Sequence, residues 1–193
     1  MAYDAVVDAY CYKGTTVLKN RLRLTDQAAL DAYEIEVTTQ RASEPLPAGR
    51  LGLRHYLAIH RHLFQDVYAW AGRIRTVRIA KDGSMFCYPE QIEAQLNRIF
   101  AALRAENFLR DLSVTDFARR VAHVLAELNA IHAFRDGNGR TQLAFAALLA
   151  ARAGHPLDLG RLVPDAVLTA MIKSFRGDEE PLVAILANLI HPR

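Results

Sequence analysis

Cysteine is scarce. Cys11 and Cys87 are the only two in 193 residues, far apart and without a Cys-x-x-Cys or Cys/His arrangement at metal-binding spacing. That excludes a disulfide framework and a structural zinc site. No apolar run reaches membrane-spanning length, and the opening Met-Ala-Tyr-Asp-Ala-Val-Val-Asp has no basic segment ahead of an apolar core. The expectation is a cytoplasmic protein with no membrane partner. Blocks of one charge are missing too: 24 Lys+Arg are interleaved with 21 Asp+Glu, for a net charge of +3. This describes a mixed, solvated surface, with no direct nucleic-acid binding expected and some excess positive charge that suits a nucleoside triphosphate. Internal repeats and low-complexity stretches are also lacking.

With 51% hydrophobic and 23% charged residues, a chain of this length makes one well-cored domain, here residues 1–193. Its texture is helical. Apolar residues at helical spacing predict helices from Asp26 to about Arg41, Leu51 to Tyr68, Pro89 to about Phe108, Ser113 to Ile131, Leu143 to Ala153, Pro164 to Phe175 and Asp178 to Ile190. Asp26 is a good N-cap, and Ser113 with Asp116 three residues on has the form of a capping box. His55, His60 and His62 invite a metal reading, but no Asp or Glu completes a ligand set, so they read as ordinary core or surface histidines.

The period changes once. Ile74 to Ile79 reads as a strand, Lys81-Asp82-Gly83-Ser84 as a turn, and Met85 to Tyr88 as a returning strand. A hairpin over about 74–88 in a helical protein offers free backbone edges to which a partner segment can add.

The stretch that carries chemistry is Ile131-His132-Ala133-Phe134-Arg135-Asp136-Gly137-Asn138-Gly139-Arg140-Thr141-Gln142. Gly137 and Gly139 let backbone N–H groups approach an anion, and the helix that follows aims its positive end at the same place. Arg140 adds a permanent charge with forked donors. Asp136 is a hard oxygen ligand of the kind that holds Mg²⁺ against phosphates. His132 is the group whose ordinary pKa suits proton abstraction from an attacking hydroxyl. The loop over 132–140 therefore reads as a phosphate site with a base beside it.

These residues resemble the motif of the Fic (filamentation induced by cAMP) family, His-Pro-Phe-x-(Asp/Glu)-(Gly/Ala)-Asn-Gly-Arg-x-x-Arg. Ala133 replaces the usual Pro and Leu143 the second Arg. The Tyr10 to Asn20 lead-in and Val67 to Arg73 are similar as well. The resemblance implies an all-α, Fic-like helical bundle with one short β-hairpin, the flap that presents a target. It further implies transfer of AMP from ATP, with Mg²⁺, to a Ser, Thr or Tyr hydroxyl of a target protein. His132 would be the base, Asp136 the Mg²⁺ ligand, Gly137, Asn138 and Gly139 the anion cradle, and Arg140 the holder of the distal phosphates. Phe134 would anchor the loop inward, and Arg78, Lys81, Asp82, Gly83, Ser84, Met85 and Phe86 would dock the target.

Two other readings stand beside this one. Doc-like relatives carry Lys at the position of Gly139, which favours AMP transfer here. Leu143 is nevertheless what Doc-like motifs tend to carry, so a Doc-like protein kinase or other phosphate transfer is the alternative, followed by a catalytically impaired nucleotide-binding module. No Ser/Thr-x-x-x-Glu-(Gly/Asn) inhibitory motif is present; Glu106-Asn107 follows Ala102 where Ser or Thr is required. A toxin-like protein with a separate small antitoxin is the expectation.

Overall fold

A computed structural model describes residues 8–81 and 84–190. Among the described residues there are seven α-helices and one two-stranded sheet: α1 (Gln27–Ser43), α2 (Leu53–Phe64), β1 (Ala80–Lys81), β2 (Ser84–Met85), α3 (Pro89–Ala105), α4 (Val114–Ile131), α5 (Asn138–Ala153), α6 (Pro164–Phe175) and α7 (Glu180–Leu189). The helical class with one small hairpin is as expected. Among the described residues no helix is long and apolar enough to cross a membrane. The chain divides into two compact units, one within Met1–Glu93 and His132–Thr141, the other within Ala94–Ile131 and Gln142–Arg193.

In the first unit, α1 starts where Asp26 accepts a hydrogen bond from the N–H of Ala29 at 2.8 Å, satisfying one of the orphan donors of the first turn. α1 packs on α2, whose buried face is His55, Tyr56, Ile59, His60, Leu63 and Phe64. α2 ends at Phe64, short of the expected Tyr68. The chain then turns through Gly72, where φ is +79° and an added Cβ would lie 2.7 Å from the Cβ of Arg61. The N–H of Gly72 is fixed by His60 Nδ1 at 2.8 Å.

The hairpin is much shorter than predicted. Only Ala80 pairs with Met85 and Lys81 with Ser84. Residues 74–79 form no strand: Ile79 still accepts Phe86 N–H across the hairpin at 3.3 Å, but Arg75 N–H goes to the carbonyl of Ala133 at 2.9 Å and Thr76 N–H to the hydroxyl of Tyr10 at 3.2 Å.

In the second unit, α4 begins with the expected reciprocal cap: Ser113 Oγ accepts from Asp116 N–H at 3.1 Å and donates to its carboxylate at 2.7 Å. Phe117, Val121, Val124, Leu125 and Leu128 make its buried stripe, and α4, α6 and α7 pack on one another. α3 stops at Ala105 rather than Phe108, since Asn107, Phe108 and Leu109 all take positive φ, a conformation no α-helix continues through. α5 ends at Gly154, with φ +86°, and α6 opens on Pro164, which suits a first helical turn.

Candidate active site

α4 ends at Ile131, and His132 reverses the chain with φ +50°. A non-glycine residue in this region is uncommon and needs support from its surroundings. Two groups supply it. The carbonyl of His132 accepts Arg75 Nε at 2.7 Å, and the His132 ring stacks on Phe86, with centroids 3.9 Å apart and planes 20° from parallel. The expected base and a flap aromatic are thus in contact.

Phe134 turns inward as expected and is fully buried. Its ring stacks on His60 at 3.8 Å. Its N–H donates to Asn138 Oδ1 at 2.9 Å while Asn138 Nδ2 donates to its carbonyl at 2.8 Å. This reciprocal pair closes the loop and engages both ends of the Asn138 amide. The first intrahelical donor of α5 is Thr141 N–H, to Gly137 O at 3.2 Å. The N–H groups of Asn138, Gly139 and Arg140 precede it and have no helical acceptor.

The two glycines differ. Gly137 has φ +78°, and a Cβ there would fall 2.4 Å from the ring of Phe64. At Gly139 a Cβ would meet nothing within 4 Å, so the backbone beside it is open to a ligand.

Asp136 is half-buried. Its Oδ1 accepts Gly137 N–H at 2.6 Å. Its carbonyl accepts His60 Nε2 at 3.0 Å; since His60 Nδ1 accepts from Gly72, Nε2 must carry the proton. Burial pushes the pKa of His60 down to about 3, so the ring stays neutral. Burial, with the charge of Glu34, raises the carboxyl of Asp136. A cation would relieve that destabilised anion. One hard oxygen together with substrate phosphates is a donor set that fits Mg²⁺. Among the described residues no cluster of three His, Cys, Asp or Glu could hold a metal by itself.

Arg140 is only partly exposed, at 40%. Its guanidinium is ion-paired with Glu34 of α1, donates from Nη1 to Thr38 Oγ1 at 2.9 Å and lies over the Phe64 ring at 4.5 Å. Glu34 in turn accepts the hydroxyl of Tyr68. Sequence reasoning missed Glu34. The available signal was its helical spacing between Leu30 and Thr38, the two buried residues of α1. Arg135, the variable position of the motif, is buried against Asp8, with Nε 2.7 Å from Oδ2. Burial opposes ionisation of Asp8, but its hydrogen bonds, that from Arg135 foremost, hold the carboxyl below its ordinary value.

Of the flap residues, Arg78 lies over the Tyr88 ring at 4.2 Å, Lys81 is in β1, and Met85 is 56% exposed. Asp82 and Gly83 lie outside the described residues, and Ser84 is described through its main chain alone.

The chain is similar to several known proteins. The probable protein adenylyltransferase y4lH of Sinorhizobium fredii is 50% identical over 189 residues, covering 97% of this chain and 98% of that one. The protein adenylyltransferase VbhT of Bartonella schoenbuchensis is 37% identical over 95% of this chain and 39% of its own length. The crystal structure of BepC from Bartonella tribocorum, with AMPPNP bound, superposes with a TM-score of 0.85 at 28% identity, covering 95% of this chain and 97% of that one. Residues 50–150 match the model of the Fic/DOC family, and the chain belongs to that family.

Proposed function

We propose that this protein is an adenylyltransferase that moves AMP from ATP to a hydroxyl side chain of a target protein. The observation that carries the reading is one short loop that holds a supported histidine, three unpaired helix N–H groups, a carboxylate and a clamped arginine. It is supported by the names of the relatives and by the nucleotide analogue bound to BepC.

The α-phosphate lies against the N–H groups of Asn138, Gly139 and Arg140, where the end of α5 favours negative charge. His132 takes the proton of the target hydroxyl. The freed oxygen attacks the α-phosphorus, a new P–O bond forms to the target, and the bond to the β-phosphate bridging oxygen breaks, so that pyrophosphate leaves. Arg140 meets the charge developing on the distal phosphates. Asp136 would hold Mg²⁺, which when bound neutralises phosphate charge. Most of the acceleration comes from alignment and from preorganised charge.

Phe86 places the flap beside His132, and the short pairing of β1 with β2 leaves main-chain edges on which a target segment can align. The proposed assembly is one domain over residues 1–193 in the cytoplasm, restrained by a separate inhibitor protein. Glu106, the one glutamate followed by Asn, is bound to Arg120 at 2.7 Å and so is not free to act as an internal inhibitor.

Incubation with ATP labelled at the α- or the γ-phosphate, with a cell lysate supplying targets, tests the reading. Protein labelled from the α-position alone, and not by His132→Ala, is expected. Label from the γ-position alone would make the protein a kinase; bound nucleotide without label from either would make it a binding module.

A further inference from the structure

Glu34 lies outside the motif on which the loop was read, yet it grips the arginine that opens α5. A guanidinium carries five N–H donors in a rigid fork. One on Nη2 goes to Glu34 and one on Nη1 to Thr38 Oγ1 at 2.9 Å. Thr38 uses its own hydroxyl proton on the carbonyl of Glu34 at 2.6 Å, which turns a lone pair towards the arginine. Phe64 supports the plane from below at 4.5 Å. Orientation and tilt are thereby fixed, and among the described residues three donors are left over. Leu143 contributes no second guanidinium to α5, and the loop's other arginine, Arg135, is paired with Asp8.

We propose that Glu34 is a positioning residue for nucleotide binding: with Thr38 and Phe64 it holds Arg140 so that its three remaining donors meet a phosphate without rearrangement. The opposite role, a carboxylate that competes with phosphate for Arg140, fits the geometry less well. Glu34 is itself tied to Tyr68, its side chain is only 13% exposed, and it takes one donor of five. Preorganised donors of this kind are what a charged ligand binds most strongly.

The inference rests on the nucleotide-transfer reading above, and the test separates the two. ADP with Mg²⁺ is titrated calorimetrically into the wild type, Glu34→Ala, Glu34→Gln, Thr38→Val, Arg140→Ala and the Glu34→Ala/Arg140→Ala pair, with circular dichroism confirming that each is folded. Glu34→Ala should raise the Kd about tenfold, the equivalent of one charge-assisted hydrogen bond. Glu34→Gln, which keeps an acceptor, should recover part of that loss. Thr38→Val should weaken binding in the same direction and carries the test if Glu34→Ala does not fold. The double variant should bind no more weakly than Arg140→Ala alone, since the two act as a unit. In the transfer reaction the loss should fall on KM for ATP more than on kcat. Unchanged or tighter binding by Glu34→Ala, or losses additive with Arg140→Ala, would overturn the role of Glu34 and leave the transfer reading intact. A wild type that binds no ADP would overturn both.

Discussion

Arg75 donates from Nε to the carbonyl of His132 at 2.7 Å, and the same guanidinium donates to the carbonyls of Val77 and Cys87, each at 2.6 Å. A side chain that is 1% exposed thus ties the His132 turn to both arms of the hairpin. Arg75→Met would remove the donor from a buried carbonyl at His132, at about 1–3 kcal/mol, and from the half-buried carbonyls of Val77 and Cys87, at less. Denaturant unfolding should show a loss of about 2 kcal/mol or more, and AMP transfer should fall at a temperature where circular dichroism finds the variant folded.

Phe86 touches His132, the proposed base. Its stacking on His132 sets the plane of the imidazole, and misplacement of a reacting group by about 1 Å can cost 100-fold in rate. Phe86→Ala should lower kcat for AMP transfer by roughly 10–100-fold with little change in ADP affinity. Equal losses in binding and turnover would place Phe86 at the nucleotide instead. His132→Ala should keep wild-type ADP binding and lose roughly 100–10,000-fold in transfer.

The paired glycines should separate folding from binding. Gly137→Ala forces a side chain to φ +78° and into the Phe64 ring, and should cost well over about 1 kcal/mol of stability. Gly139→Ala adds a methyl group in open space. Its melting temperature should stay near wild type while its affinity for ADP drops, because the methyl group occupies ground where the anion approaches the backbone. Thermal melts and calorimetry distinguish the two.

Acid sensitivity should include a contribution from Asp66. Its carboxyl is held below its ordinary value of 3.8, first by the hydrogen bond from Arg41, whose Nε lies 2.6 Å away. A carboxyl with a depressed folded-state pKa adds stability above its unfolded value, and that stability disappears as pH falls through the folded value. The wild type should therefore exceed Asp66→Asn by a constant margin from pH 8 to about 5; the margin should begin to shrink near pH 4 and vanish only once the pH is below the folded value, which lies under 3.8. The Asp66 side chain is 37% exposed, so solvent screening keeps the margin under about 1 kcal/mol. Denaturant melts across that range check it.

The sequence carried the loop well because its chemistry is local. His132 to Arg140 are contiguous, and helix periodicity predicted the end of α4 at Ile131, while α5 starts at Asn138, ahead of the apolar run from Leu143 that marked it in the sequence. The caps at Asp26 and Ser113 are short-range for the same reason. Long-range relationships were not legible. Residues 74–79 look like a strand, but Arg75 finds its partners at His132 and Ala133, more than fifty positions away. Glu34 resembles any surface carboxylate on a helix until Arg140 is brought to it. Asn138 fits an anion cradle by composition, and only coordinates show its amide already committed to Phe134.

The aromatic floor under the loop has a consequence for entropy. Phe134 stacks on His60, His60 on Phe64 at 4.7 Å, and Phe64 carries the guanidinium of Arg140. Main chain and charge are thus frozen by one column of rings before any ligand arrives. Ordering a loop of this size on binding would cost about 1–2 kcal/mol for each residue fixed. Here that loss is taken during folding, and the free energy of phosphate contact is left to appear as affinity.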